Sequence, residues 1–213
     1  MRFLTGRIPS GRQIVLTFDI CSSSDVLEDL TRNQSVQRYL KLIAALKHTL
    51  AKHQLKIQSG CDVYLMLYKF TGDGWIILME APAQNQFQLG RALLNLMYSL
   101  SKTFRREFKL LSKHLETVPK VTGINFGIAL GNIEHSKIFQ KDEYLGRAIN
   151  VACRLQGAIK DKDKRPAYKA LATKTVFNEY LTPATGYETS VVTRVLRNIN
   201  ANRPMSCVKI RLL

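Results

Sequence analysis

Two aspartates stand where a fold could bring them together. Asp73 lies between Gly72 and Gly74 in the stretch YKFTGDGWIILME, and these glycines suit the positive φ angles of a tight turn between two strand-forming runs. Asp19 comes near the end of QIVLTFDI, a short apolar run typical of a buried strand. Two adjacent carboxylates repel each other unless a cation lies between them, and such a pair suits Mg²⁺ or Mn²⁺ bound together with substrate phosphates. The alternative is a turn residue and a strand-end residue that never meet.

Three predicted elements decide whether the two aspartates converge. They are a strand at residues 13–20, an amphipathic helix at 36–55 and a second strand at 61–70. If these elements form a right-handed crossover, the two strands are parallel and their carboxyl ends lie at one edge of a sheet. Asp19 ends the first strand and Asp73 follows the second, so this topology predicts a paired-carboxylate metal site at that edge.

The rest of the chain predicts a single α+β domain over residues 1–213, with helices on one face of a sheet. Ser22 to Ser24 offer a helix cap after the first strand. The further predicted elements, in order, are a strand at 75–80, a helix at 86–115, a strand pair at 123–132 and 136–144, a helix at 146–159, a charged loop at 160–166, and strands at 188–197 and 206–212.

Four sequence motifs follow one another along the chain: FDICSS, KFTGDG, GINFGIALG and GRAINVACR. They resemble the F-x-D-I strand end, the K-x-x-G-D hairpin, the G-I-x-x-G-x-x-x-G strand and the G-x-x-V-N-x-A-x-R helix of the class III nucleotidyl cyclase catalytic domain, the adenylate and guanylate cyclase family. A Gly-Asp-Gly alone would be weak evidence, whereas four ordered motifs across residues 18–156 are a specific signal. The resemblance implies a palm-type, ferredoxin-like α+β fold with helices and a central, mostly antiparallel sheet.

The resemblance also implies roles for particular residues. Asp19, Asp73 and the main-chain carbonyl of Ile20 would hold two divalent cations, Mn²⁺ or Mg²⁺. Asn150 would orient the ribose and Arg154 would stabilise negative charge on the reacting phosphate, and their i, i+4 spacing puts both on one helix face. Without the resemblance, that pair is most often a solvated helix surface. The implied reaction is attack of the 3′-hydroxyl of a nucleoside triphosphate on its own α-phosphate, which yields a 3′,5′-cyclic nucleotide and pyrophosphate without a Cys or His nucleophile.

The family that the chain resembles forms each site between two cyclase domains. The metal-binding acids come from one domain, and the helix with the Asn and Arg comes from the other. This chain has one copy of each motif. We therefore expect a homodimer with two equivalent shared sites, a closed two-fold arrangement.

The residues expected to read the base fit neither subtype of the family fully. Adenylate cyclases use the Lys of K-x-x-G-D together with an Asp, whereas guanylate cyclases have Glu and Cys at these two positions. Here Lys69 is retained, Glu143 stands at the Asp position, and Phe18 of the first motif is expected to line the substrate site. A Lys donor with a Glu acceptor can serve adenine or uracil, or cytosine if their order is reversed. These residues do not decide among the three bases.

A bare, basic catalytic domain with a divergent base pocket is similar to the stand-alone pyrimidine cyclases of the Pycsar anti-phage systems. Those enzymes make cyclic UMP or cyclic CMP for a separate effector. Aromatic bulk at Tyr68 or Tyr144 could fill space that a purine would occupy. The resemblance therefore favours UTP as the substrate, with ATP as the next choice, and implies a separate effector that reads the cyclic nucleotide.

The triphosphate-binding position near the end of the chain departs from the family pattern. Family members usually carry Lys-Gly before the last strand, where the Lys contacts the triphosphate, but this chain has RNINANRPMS. Arg197 or Arg203 could take that role, because guanidinium groups bind phosphate well.

Composition and charge set the remaining bounds on function. The chain has 213 residues with 32 Lys and Arg against 16 Asp and Glu, and its net charge of +16 favours an acidic partner such as a triphosphate. The charge and the basic stretch KTFRREFK also suit a nucleic-acid-binding domain. A catalytically dead, cyclase-like regulator is a third alternative, against which the retained acids, Asn150 and Arg154 argue.

The cysteines and the first residues of the chain indicate the cellular compartment in which we expect it. The four cysteines are far apart with no C-x-x-C pair, which argues against zinc and for reduced thiols. The start, MRFLTGRIPSGR, lacks the apolar core of a signal peptide, and no later stretch approaches the roughly 20 apolar residues of a membrane span. We expect a soluble, cytoplasmic protein with neither a membrane nor a nucleic acid as its partner.

Overall fold

The computed structural model describes residues 7–162, 165–182 and 186–213, and within these ranges eight strands form one sheet. The strands are β1 (Gly11–Cys21), β2 (Leu65–Phe70), β3 (Trp75–Glu80), β4 (Gly123–Ile138), β5 (Lys141–Leu145), β6 (Lys169–Thr173), β7 (Glu188–Val195) and β8 (Pro204–Arg211). Their order across the sheet is β2-β3-β1-β4-β6-β8-β7, with β5 paired to β4. Among these strands only β4 and β6 pair in parallel, so the predicted mostly antiparallel α+β fold is confirmed.

In the described part of the chain, four helices of ten or more residues accompany the sheet: α1 (Ser23–Arg32), α2 (Val36–Cys61), α3 (Gln86–Leu111) and α4 (Arg147–Lys162). The short helical segments are Ser112–His114, Lys174–Val176, Phe177–Leu181 and Asn200–Asn202. The described ranges contain no helix with the length and apolar composition that a membrane crossing requires.

Two predicted boundaries are wrong because the helices run further than the sequence pattern indicated. α2 continues to Cys61, so β2 begins at Leu65 rather than at residue 61. α4 continues to Lys162, so the charged loop predicted at 160–166 starts later than expected. Residues 163 and 164 of that predicted loop lie outside the described residues.

Helices cover both faces of the sheet. Along β1, Leu16 and Phe18 pack in the same apolar cluster as α1, α2 and α3, whereas Val15 packs in the cluster formed with α4. α4 lies directly against β4, since a Cβ atom added at Gly127 would be 2.0 Å from the carbonyl oxygen of Ala152. The prediction that helices cover one face is therefore wrong, because the apolar stripe of a helix does not specify which face it will cover.

The strand ends that carry the two aspartates lie at one edge of the sheet. β3 lies between β1 and β2 and is antiparallel to both, so β1 and β2 run parallel. The β1–β3 ladder ends with Phe18 opposite Trp75, and the β2–β3 ladder ends with Phe70 opposite the same Trp75. The predicted parallel arrangement is confirmed, with β3 inserted between the two strands.

The β4–β5 hairpin turns later than the sequence predicted. β4 is continuous from Gly123 to Ile138, so the predicted break between residues 132 and 136 is wrong. The turn falls at Phe139 and Gln140, which have positive φ angles of 48° and 63°. Pairing with β1 along the first part of β4 and with β5 along its last part keeps the turn-prone middle of the strand extended.

Candidate active site

Asp19 and Asp73 line one cavity at the edge of the sheet where β1 and the β2–β3 turn end. The cavity has a volume of about 260 Å³. Its lining residues are Thr17, Phe18, Asp19, Thr71, Asp73, Trp75, Ile76, Cys153 and Gln156. Both carboxylates are half-buried. The pKa of the nearby buried Tyr39 is raised mainly by burial and further by the negative charges of Asp73 and Asp19. The structure thus brings the two aspartates together, while their role as metal ligands stays a prediction.

Gly74 allows the hairpin tip to approach β1 closely. A Cβ atom at this position would lie 1.8 Å from the carbonyl oxygen of Phe18, a distance that no side chain can tolerate. Gly72 has a φ of 102°, which disfavours residues other than glycine. Glycine is therefore needed at these two positions for different reasons. Gly72 turns the chain, and Gly74 brings Asp73 beside Asp19.

We expect Gly74→Ala to push the hairpin tip away from β1 and to lower the free energy of unfolding by about 1–3 kcal/mol, because the added methyl group overpacks against main chain. Gly60→Ala is the matched control, since a Cβ atom there meets nothing within 4 Å and Gly60 lies in α2. Urea denaturation of both variants measures the difference. Equal free energies of unfolding for the two variants would contradict the close approach.

Each aspartate accepts a hydrogen bond from a neutral side chain. The Ser23 hydroxyl donates to Oδ2 of Asp73. Nε2 of Gln156 donates to Oδ2 of Asp19 at 3.2 Å and to Oδ1 of the fully buried Asn125 at 2.6 Å. The position of the helix cap predicted at Ser22 to Ser24 is confirmed, because Ser22 is the N-cap of α1. Its side chain, however, makes no capping hydrogen bond.

Sequence reasoning missed Ser23, Tyr39, Asn125 and Gln156. Two of them carried a signal that could have found them. Asn125 interrupts a buried strand, and Gln156 lies four residues after the buried Ala152 on the sheet-facing side of α4. A polar residue at such a position requires a hydrogen-bond partner, and Gln156 donates to both Asp19 and Asn125.

Asn150 and Arg154 do not reach the cavity of their own chain. Both side chains are exposed on α4, whereas Cys153 and Gln156 are the α4 residues that line the cavity. The predicted helix and the i, i+4 spacing are present, so both residues belong to one exposed helix face. Their catalytic roles stay predictions that require another molecule to bring the aspartates to them.

Arg197 and Arg203 lie far from the aspartates within one chain. Asp19 is in line, through paired residues on β4 and β6, with Arg211 at the C-terminal end of β8. The β7–β8 turn, which carries Arg197 and Arg203, precedes the opposite end of β8, and both arginines are exposed. Neither arginine can therefore bind a triphosphate held by the aspartates of its own chain.

Of the two predicted base-reading residues, Lys69 and Glu143, only Glu143 joins a small polar cluster around Tyr68. The Tyr68 hydroxyl donates to Oε2 of Glu143 and accepts from the main-chain N–H of Tyr144 at 3.3 Å. The rings of Tyr68 and Tyr144 pack edge to face with centroids 5.2 Å apart. Burial raises the pKa of Tyr68, and the hydrogen bond with Glu143 raises it further, so the phenol is a donor at neutral pH. Lys69 is exposed beside the register shift between β2 and β3.

The predicted contacts of Phe18 and Ile20 are limited to their main chains. Both side chains are 2% exposed and belong to the core under α1, α2 and α3. The Phe18 ring packs against Trp75 and Phe126 with centroid distances of 5.5 Å and 5.9 Å. Only main-chain atoms of these two residues can therefore face a substrate or a cation.

The cavity offers no reactive thiol. Burial raises the pKa of Cys153, against a smaller opposite effect of Arg154, so the thiol stays protonated at neutral pH. Within the part of the chain that the structure describes, no group of three or more His, Cys, Asp and Glu side chains is arranged to hold a metal ion.

Comparison with known proteins finds similarity at the level of structure. No family model and no curated protein matches the chain. The adenylyl cyclase CyaB from P. aeruginosa superposes with a TM-score of 0.65 at 16% identity, over 95% of this chain and 96% of its own. The guanylyl cyclase Cya2 gives a TM-score of 0.62 at 13% identity, over 95% of this chain and 94% of its own.

A bacterial light-regulated adenylyl cyclase superposes with a TM-score of 0.64 at 16% identity over 98% of this chain, which spans 53% of that longer protein. Identities this low establish similarity of fold alone. The chain has the fold of the class III adenylyl and guanylyl cyclase catalytic domains.

Proposed function

We propose that this chain is a nucleotidyl cyclase that converts a nucleoside triphosphate into a 3′,5′-cyclic nucleotide and pyrophosphate. The observation that carries the proposal is the shared cavity of Asp19 and Asp73, two carboxylates 54 positions apart that meet at the edge of a sheet in a cyclase fold. A carboxylate pair without a thiol or imidazole nucleophile suits phosphoryl transfer, in which positioning and charge neutralisation supply most of the catalysis.

The donor atoms at this edge fit two divalent cations, Mn²⁺ or Mg²⁺. Both ions prefer oxygen ligands, which the Asp19 and Asp73 carboxylates supply, and the main-chain carbonyl of Ile20 is the proposed third protein ligand. When bound, the cations would lower the pKa of the 3′-hydroxyl and neutralise the triphosphate. Ser23 and Gln156 each donate a hydrogen bond to one of the carboxylates without adding a positive charge that would compete with the cations.

A homodimer with two shared sites would complete the catalytic machinery. Asn150 and Arg154 are exposed on α4 and do not line the cavity of their own chain. In a dimer, the α4 helix of one copy would present Asn150 to the ribose and Arg154 to the phosphate held by the other copy. The guanidinium group adds positive charge where negative charge grows in the transition state. Arg197 or Arg203 would contact the triphosphate from the same side as Arg154.

Uracil is the base that we propose for the substrate, which makes the chain a uridylate cyclase. The Tyr68 hydroxyl holds Glu143 in place as an acceptor, and Lys69 is available as a donor, so Glu143 can accept from N3–H of uracil while Lys69 donates to a carbonyl oxygen. The edge-to-face pair of Tyr68 and Tyr144 occupies space beside Glu143, which favours one ring over two. ATP is the alternative substrate, because the same Lys and Glu can pair with adenine, and CTP is the third.

Incubation with each of ATP, GTP, CTP and UTP plus Mn²⁺, followed by chromatography of the products, tests the reaction and the base together. We expect cyclic UMP as the main product, at least about tenfold over cyclic AMP, because the ring pair of Tyr68 and Tyr144 beside Glu143 disfavours the second ring of a purine. Cyclic AMP as the main product would correct the base and retain the reaction. No cyclic product from any of the four triphosphates would overturn the cyclase proposal.

The cyclic nucleotide would act as a signal, and by resemblance to the pyrimidine cyclases it would activate a separate effector in anti-phage defence, in the cytoplasm. Addition of the purified product to cells that carry the defence system without the cyclase would test this role.

A second candidate function, nucleic-acid binding, is favoured by the charge on α2 and α3. These helices contain ten Lys and Arg residues, all exposed, against the single acid Glu107. The ten residues are Arg38, Lys41, Lys47, Lys52, Lys56, Arg91, Lys102, Arg105, Arg106 and Lys109. A protein of this second kind would bind DNA or RNA with an affinity that falls steeply with salt, and it would turn over no nucleotide.

A further inference from the structure

We infer that Ser23 with Tyr39, and Gln156 with Asn125, are positioning residues that hold the carboxylates of Asp73 and Asp19 in the orientation required for metal binding. The inference rests on the proposed function, since it concerns the same pair of acids. It adds to that function two chains of side-chain contacts, one for each acid, that connect the acids to the buried interior.

The first chain runs from α2 through α1 to the hairpin tip. Ser23 is the first residue of α1, and its hydroxyl donates to Oδ2 of Asp73. Tyr39 of α2 is 4% exposed and lies beside Ser23. A serine hydroxyl has one hydrogen, which Ser23 donates to Asp73, so the Ser23 oxygen is left as the acceptor that we assign to the Tyr39 phenol. Asp73 at the hairpin tip is therefore connected through Ser23 to Tyr39, a helix residue in the core.

The second chain runs from β4 through α4 to the end of β1. Nε2 of Gln156 lies 3.2 Å from Oδ2 of Asp19 and 2.6 Å from Oδ1 of Asn125, so one amide group donates to both. Asn125 is fully buried and its Nδ2 donates in turn to Sγ of Cys21 at 3.6 Å. A buried amide with partners at both ends has one orientation, and it fixes the orientation of Gln156.

These contacts suit a metal site because they orient the carboxylates with neutral donors. Residues that hydrogen-bond to metal ligands fix the ligand rotamer before the ion binds, and removing one typically weakens metal binding 10–100-fold. Gln156 also links the two halves of the proposed site, since it lies on the same helix as Asn150 and Arg154. A rigid α4 therefore sets the direction of Asp19 and that of the residues proposed to act in the partner's site.

Binding of Mn²⁺ to the 213-residue chain without nucleotide tests the inference, with the electron paramagnetic resonance signal of free Mn²⁺ as the measurement. We expect Ser23→Ala and Gln156→Leu each to weaken Mn²⁺ binding at least about tenfold, with Ser23→Thr restoring it because the hydroxyl is kept. Ser59→Ala and Gln37→Leu are matched controls on α2, where Gln37 is exposed and the Ser59 hydroxyl bonds only to main-chain carbonyls of its own helix.

A double-mutant cycle separates positioning from a general loss of stability. If Tyr39 acts through Ser23, the Ser23→Ala, Tyr39→Phe double variant will bind Mn²⁺ as weakly as Ser23→Ala alone, whereas independent effects would multiply. Wild-type affinity in both Ser23→Ala and Gln156→Leu would overturn the inference and leave the cyclase proposal standing. If the wild-type protein neither binds Mn²⁺ nor forms a cyclic nucleotide, the proposed function fails and this inference fails with it.

Discussion

Asp73→Ala is expected to lower formation of the cyclic nucleotide on the order of 1,000-fold while the fold stays intact. The reason is local, because the Asp73 side chain lies at a hairpin tip outside the β2–β3 ladder, and its removal leaves the main-chain pairing unchanged. The half-buried Ser23 hydroxyl loses an acceptor, which costs little where water can reach it. The loss should therefore appear in activity and not in the unfolding temperature.

Glu28→Ala is the matched control for Asp73→Ala, since it removes an exposed carboxylate from α1, the helix that also carries Ser23. Activity with Mn²⁺ and thermal unfolding followed by circular dichroism measure the two effects. Activity of Asp73→Ala close to that of the wild type would remove Asp73 from the metal site. A large fall in the unfolding temperature would instead assign Asp73 a structural role.

The convergence of Asp19 and Asp73 could be predicted from the sequence because it depends on local patterns and one connection rule. The apolar run before Asp19 and the glycines around Asp73 mark a strand and a turn, and a crossover connection through helices makes their strands parallel. β3 falls on its predicted residues, 75–80, for the same local reason. This part of the site could be predicted because it consists of short segments, and the residues of each segment determine its structure.

Features that depend on packing between distant segments were not predicted. The strand break expected near residue 132 is absent, because neighbouring strands pair with β4 on both sides of that position and override its local preference for a turn. β6, at Lys169–Thr173, was missed since five residues carry too short a pattern to distinguish a strand from a loop. The hydrogen bond from Gln156 to Asp19 joins residues 137 positions apart, which no local pattern encodes.

Mixing the inactive variants Asp19→Ala and Arg154→Ala should restore about a quarter of the wild-type activity. In a two-fold dimer with shared sites, random exchange makes half of the dimers hybrid, and each hybrid has one intact site and one site with both lesions. The structure supplies the reason to expect this, because Asp19 lines the cavity while Arg154 is exposed on α4 of the same chain. Each variant alone should be inactive, since every site in its homodimer lacks one essential group.

The mixture of Asp19→Ala with Asp73→Ala is the decisive control. Both lesions fall on the same half of the site, so neither site of a hybrid dimer is intact and no activity should return. Energy transfer between labelled chains shows that exchange has occurred in both mixtures. Absence of rescue in the first mixture, despite exchange, would contradict the shared site. Because a shared site exists only in the dimer, the specific activity of the wild type should also fall on dilution below the dissociation constant of the dimer.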